Sequence, residues 1–208
     1  MTARDDQKEK RRDEILRAGL ELFIKKGYTA TKIQDIATTV GMSVGLLFHY
    51  FPSKEELYCS LIEYGISGPM SLMAAEAPEP IAFFETAAEQ VLAYIRQDSF
   101  TAKMFLLMNQ AMLHEDIPQK AGEVLRSFDI YTPTAALILR GQQSGTIRPG
   151  NPLALAAAFW AAISGIAELC ASYPDIPAPE SEWIVDLIRA RSESSSNKIS
   201  SIEDGEAK

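Results

Sequence analysis

Apolar positions in this 208-residue chain recur at helical spacing from one end to the other, and the polar breaks between them fall where helix caps belong. Ile15, Ala18, Leu22 and Phe23 share one face of a first helix. Lys25 and Lys26 sit in its last turn, where cations suit the carbonyl end, and Gly27 stops it. Ile33, Ile36, Ala37 and Val40 then make an i, i+3, i+4, i+7 stripe. Thr31 and Gln34 predict a capping box at the start of that second helix, and Gly41 predicts its left-handed end. Ser43 is the next N-cap, for a short helix over Val44 to Phe51 that Pro52 prevents from continuing. Ser53 and Glu56 cap a longer helix that begins at Lys54.

The remainder reads as helices alone. One runs from Lys54 to about Ala75, where AEAPEP ends it; others cover Ile81 to Gln97 and Phe100 to about His114. Pro118 opens a long helix through Gln143, closed by Gly145, and Asn151 with Pro152 opens another to about Ser172. A last helix over Glu180 to Arg191 places Trp183, Ile184, Leu187 and Ile188 on one face. No strand pattern of convincing length intervenes, so the fold class is all-α. The tail 192–208 has no burial face and is expected to be disordered.

Two helices joined by a three-residue turn containing glycine form a helix-turn-helix, whose second helix can enter the major groove of DNA. Leu47 and Phe51, four apart, anchor that helix and turn Gly45, Leu46, Phe48 and His49 outward. An ordinary helical corner is the alternative. Over Gly27 to Leu57 the sequence GYTATKIQDIATTVGMSVGLLFHYFPSKEEL resembles the DNA-binding segment of the TetR family of bacterial transcriptional regulators, and RRDEILRAGLELFIKKG resembles that family's first helix. The resemblance covers about the first quarter of the chain.

The resemblance implies that Thr31, Tyr50 and Lys54 contact backbone phosphates, which position the protein without reading sequence. Base readout falls to Gln34, Val44, Gly45, Leu46, Phe48 and His49. The family often has Lys, Thr and Tyr where this chain has Val44, Leu46 and Phe48. Recognition is therefore expected to lean on thymine methyls, on Gln34 with an adenine, and on DNA shape. The resemblance further implies a three-helix head at 8–56, with the helix-turn-helix at about 32–51, joined to a larger helical ligand-binding and dimerisation domain at 57–191.

Charge agrees with that division. The chain carries a net −8, but residues 1–54 hold 10 basic and 7 acidic side chains, a surplus of three, against 10 and 21 in the rest. Lys8, Lys10, Arg11 and Arg12 are candidate arm contacts to DNA, or a solvated helix start. The charged N-terminus is unlike a signal peptide, and Cys59 and Cys170 alone suggest a reducing compartment, so a cytoplasmic, nucleoid-associated place is expected.

Pro149 to Ala167 has 19 residues without a charge, which approaches membrane-spanning length. Its alanines are only weakly hydrophobic, and the preferred reading is a tightly packed helix with no membrane role. Ala154, Ala157, Ala158, Ala161, Ala162, Ser164 and Gly165 allow close approach, and with the final helix they suit a four-helix homodimer interface; a monomeric core is the alternative.

Met104, Met108 and Met112, beside Phe105, form a soft apolar stripe that is either plain core or one wall of a cavity. Phe83, Phe84, Tyr64, Tyr94 and Trp160 are candidates to close such a cavity, and Asn109, His114 or Glu168 to supply polar contacts. The family resemblance implies a small apolar or aromatic effector of unknown identity, without saying which residues face it; from the stripe and its neighbours, Phe84, Met104, Phe105, Met108, Met112 and Trp160 are the candidate effector contacts. No P-loop, dinucleotide glycine pattern, nucleophile elbow or zinc spacing occurs, so no cofactor, metal or catalytic residue is expected. The leading reading is a homodimeric repressor released from a palindromic operator by an effector. A regulator controlled by a protein partner is the alternative, and a helical enzyme is a distant third.

Overall fold

The computed structural model describes residues 3–74 and 79–191, and within them every regular element is helical. The chain runs through α1 (Ala3–Ala30), α2 (Ile33–Thr39), α3 (Val44–Phe48), α4 (Lys54–Ala74), α5 (Pro80–Gln97), α6 (Ser99–Leu113), α7 (Gln119–Ser127), α8 (Tyr131–Gln143), α9 (Pro152–Ser172) and α10 (Ser181–Val185). The tail expected to be disordered lies outside the described residues, as does most of AEAPEP.

Gly27 breaks α1 as its place after two lysines predicts: it takes φ 78°, ψ 167°, and the helix resumes only for one turn. Ile15, Ala18, Leu20 and Phe23 are the buried face, with Leu20 in the place given to Leu22, which is half-buried. From there the core crosses α4 without a gap. Leu47, Phe51, Leu57 and Leu61 join Phe100, Met104 and Leu107 of α6 and Leu125 of α7 in one apolar cluster. A second cluster is built from α5, α8, α9 and α10 around Phe84, Phe159, Ile163 and Ile188. Each such side chain contributes about 1.5–3 kcal/mol by leaving water.

Three element boundaries differ from the periodicity. The helix expected from Pro118 to Gln143 is two helices, because the Asp129 carboxylate accepts the Tyr131 and Thr132 amides at 2.8 and 3.0 Å and starts α8 afresh. The third helix ends at Phe48, not Phe51, with His49 and Tyr50 in a tight turn. The last helix stops at Val185; Ile184, Val185 and Ile188 are buried while Trp183 and Leu187 are exposed, so the expected single face is divided between core and surface. After α10 the chain bonds back to the α8–α9 connection, through Arg148 N to Ile188 O at 2.9 Å and an isolated Ile147–Arg189 bridge.

Candidate nucleic-acid interface and ligand cavity

The turn between α2 and α3 is closed by Gly41 at φ 66° and by the Met42 amide on the Ala37 carbonyl at 3.0 Å. Ser43 then caps α3, its Oγ accepting the Leu46 amide at 3.2 Å. Leu47 and Phe51 are fully buried, so α3 is pinned by one side, whereas Leu46 and Phe48 keep 47% and 42% of their surface. Gly45 and His49 are exposed beside them, and Val44 and Tyr50 are half-buried. The leucine and phenylalanine on this five-residue helix thus expose apolar surface that no described residue covers.

Two residues expected to face phosphate do something else. Thr31 is 1% exposed; its hydroxyl donates to the Gly27 carbonyl at 2.7 Å, with the Leu22 carbonyl at 3.1 Å. It therefore clasps the kink in α1 and is not a cap: Lys32 occupies the N-cap position of α2 without a side-chain bond, and no capping box forms. Gln34 instead sends its Nε2 to Thr38 Oγ1 at 3.4 Å and stays exposed. Lys54 directs its ammonium at the Tyr28, Thr31 and Thr29 carbonyls, at 2.7, 2.9 and 3.5 Å, and lies 4.1 Å above the Tyr28 ring. Burial lowers its pKa. It braces the loop before α2, and the charge left to the exposed surface there is Lys32, which sequence reasoning passed over although it directly precedes the first apolar residue of the stripe.

Arg12 also departs from the arm role. Its guanidinium donates to the Tyr50 carbonyl at 3.2 Å and to Ser60 Oγ at 3.4 Å, and its carbon lies 4.1 Å from the Phe51 ring centroid. The end of α3 is thereby tied to α1 and α4. Lys26 ties α2 to α1, bonding Asp35 at 2.7 Å and holding that carboxyl below its usual pKa.

Behind the head, α6 faces two ways. Toward α1 it presents Asp98, 2.5 Å from Arg17, and Lys103, paired with Glu21; Arg17 also stacks over Phe100 at 4.7 Å. Toward the body it presents Thr101, Met104, Phe105 and Met108 to a cavity of about 710 Å³ walled by α4, α5, α6, α8 and α9. Met112 and Trp160 line it as expected, and so do Phe83, Tyr64, Tyr94 and Asn109. Phe84 does not. One residue along α5 turns it by about 100°, into edge contacts with Phe83 and Phe159 at 5.2 and 4.9 Å, where it is fully buried. Glu168 is set behind Asn109, and His114 lies by a smaller cleft of about 280 Å³ with Tyr28 and Tyr58. Gly65 makes room for the methionine stripe, since a Cβ there would stand 2.7 Å from Met108 Sδ. The small residues of GISG in α4 were the available signal for this wall.

The molecule is thus a helix-turn-helix head with an exposed apolar face, carried on a cavity-bearing helical body. Residues 15–61 match the profile of the bacterial regulatory proteins of the tetR family. The helix-turn-helix segment at 15–61 is thus of the TetR type. It is 26% identical over 151 residues to the HTH-type transcriptional repressor NicS of Pseudomonas putida, an alignment covering 70% of this chain and 64% of that one. It is likewise 26% identical over 156 residues to the HTH-type transcriptional regulator RutR of Escherichia coli, covering 74% and 72%. The chain thus spans just under two thirds of NicS. In fold it is similar to the MbdR regulator from Azoarcus sp. CIB, with TM-score 0.67, 23% identity and 84% and 95% of the two chains covered. It is also similar to AibR crystallised with isovaleryl coenzyme A and operator DNA, at TM-score 0.61, 19% identity and 85% and 94% coverage.

Proposed function

We propose that this chain is a repressor that binds a palindromic operator as a homodimer in the bacterial cytoplasm and leaves it when a small effector fills the 710 Å³ cavity. The observation that carries the DNA half of this reading is the exposure of Leu46 and Phe48 around a fully buried Leu47. Gly45, Leu46, Phe48 and His49 face the major groove, and Gln34 reaches it from α2; Tyr50 and Lys32 meet the backbone. Two heads are needed because one five-residue helix covers only a few base pairs.

Pairing uses α9 and α10. Leu153, Ala157, Ala158, Ala161, Gly165 and Leu169 lie exposed along α9, continuous in sequence pattern with exposed Trp183 and Leu187. α9 has a membrane-like mean hydropathy of 1.8, yet its opposite face packs Ala156, Phe159, Ile163 and Ala167 into the body. A second copy is the partner that buries the outer face.

The effector acts by differential affinity: it favours the arrangement of α6 that spaces the heads wrongly for DNA. α6 suits that role because its one side lines the cavity while Asp98 and Lys103 grip α1. Selection of bound duplexes from a random library at moderate salt tests the whole reading. A palindromic site enriched by the wild type and lost with Leu46→Ala, Phe48→Ala supports it; uniform binding that vanishes with salt overturns it.

A further inference from the structure

The chemistry of the cavity wall restricts what can enter it. Among the described residues that line it there is no Asp, Glu, Lys, Arg or His. A carboxylate or phosphate placed inside would give up water for no cation, so an anion is excluded by desolvation. The Glu168 carboxylate stands behind Asn109 and disfavours anions further.

One edge of the wall is polar in a defined sense. Glu168 can only accept hydrogen bonds when ionised, so the amide end of Asn109 that meets it is Nδ2, which also donates to Ser164 Oγ at 2.9 Å. That assignment leaves Asn109 Oδ1 as an acceptor with no bond from the described residues. It equally leaves the Ser164 hydroxyl proton free to donate. Trp160 cannot compete, since its Nε1 donates to Thr134 Oγ1 at 3.4 Å outside the cavity wall. Across from this pair are Met104, Met108, Phe105 and Phe83, soft and aromatic surfaces that suit the face and edge of a ring.

We propose that the cavity takes an uncharged aromatic molecule bearing a hydroxyl, with its ring among Met104, Met108, Phe105 and Trp160 and its hydroxyl donating to Asn109 Oδ1 while accepting from Ser164. The inference rests on reading the cavity as the effector site. It goes further by excluding carboxylates and phosphate esters as the buried part of the ligand. The neutral hydroxyl is selected because it both donates and accepts, matching the two groups left over by Glu168.

The test is calorimetric titration of the full chain at neutral pH with 2-naphthol, naphthalene and 2-naphthoate, which share a ring system and differ in one substituent. The expected order is 2-naphthol tightest, at least tenfold over 2-naphthoate and severalfold over naphthalene. Ser164→Ala and Asn109→Leu should each reduce the advantage of 2-naphthol over naphthalene, while Met108→Trp, which puts an indole where the ligand ring is placed, should weaken binding of both. Thermal unfolding and operator binding of each variant show that it is folded. Equal or tighter binding of 2-naphthoate would overturn the neutral-ligand inference and leave the cavity reading standing. Absence of binding by all three compounds, or binding untouched by Met108→Trp, would overturn the cavity reading itself.

Discussion

Arg17 and Asp98 are 81 residues apart in sequence and 2.5 Å apart in space, and they join the first helix of the head to the first turn of α6. The pairing is crowded with function. Asp98 also caps α6, accepting the Phe100 amide at 3.0 Å, and Arg17 also bonds Asp13 at 2.7 Å. Movement of α6 therefore reaches α1 through a charged contact as well as through Phe100.

That contact gives a pH signature. The amide of Phe100 first, and Arg17 after it, hold the Asp98 carboxyl below its ordinary value of 3.8. A group with a depressed folded pKa stabilises above its unfolded value, and its contribution is lost as pH falls through 3.8 toward the folded value. The Asp98→Asn variant keeps a side-chain oxygen for the cap and loses the ion pair. Thermal unfolding is expected to show wild type above the variant at pH 6 and the gap closing below about pH 4. Both partners are about 40% exposed, so the gap is small; a gap that widens in acid contradicts the assignment.

Arg12→Gln separates a positioning arginine from a phosphate contact. A phosphate contact removed lowers the slope of log affinity against log salt by about one. With Arg12 on the Tyr50 carbonyl and the Phe51 ring, the slope is expected to stay at the wild-type value. Operator affinity is expected to fall roughly tenfold, about 1.4 kcal/mol, with base preference relaxed at the steps proposed for Phe48 and His49. Titration at several salt concentrations decides.

Replacing thymine by uracil in the operator removes the methyl group and nothing else. If Leu46 reads that methyl, uracil weakens wild-type binding at one step of each half-site by about 1 kcal/mol or more and leaves Leu46→Ala indifferent. Stability should hardly change in Leu46→Ala, whose side chain is 47% exposed, whereas Leu47→Ala removes a fully buried one and should lose about 2–5 kcal/mol.

The sequence exposed most of this head because its signals are local. Ser43, Gly41 and Pro52 act within a turn of themselves, and the buried–exposed alternation of Leu46, Leu47 and Phe48 follows from helical geometry. What it hid depends on the third dimension. Thr31 has the spacing of a cap, yet the kink at Gly27 brings two carbonyls to its hydroxyl, and Lys54 reaches back to carbonyls more than 20 positions earlier. In the body, Phe83 and Phe84 are indistinguishable by composition, and only the direction in which α5 packs sends one to the cavity and the other to Phe159.

Gly141 predicts a repairable defect. A Cβ there would lie 2.5 Å from Ile147 Cδ1 and 3.1 Å from its Cβ, and a β-branched side chain held near the Arg189 bridge cannot rotate away. Gly141→Ala is expected to lose about 1–3 kcal/mol by overpacking. Ile147→Ala on its own should also destabilise, by removing a buried side chain, but in the double variant much of the Gly141→Ala loss should disappear. Denaturant unfolding of the four proteins measures the coupling, and strict additivity would contradict it.

Ala161→Glu tests the pairing face without touching the core. Ala161 is exposed on α9 between Ala157, Ala158 and Gly165, and glutamate is a good helix former, so the isolated chain should fold as before. In a close-packed homodimer the two copies would bring like charges into an apolar seam, where neither has a partner. Sedimentation should then report a monomer with near wild-type helicity, and operator affinity should fall by at least two orders of magnitude as the two heads bind independently. The α3 surface is unchanged in this variant, so residual half-site preference should survive. A variant that stays dimeric with full affinity would place the interface elsewhere and leave the exposed row from Leu153 to Leu169 for a different partner.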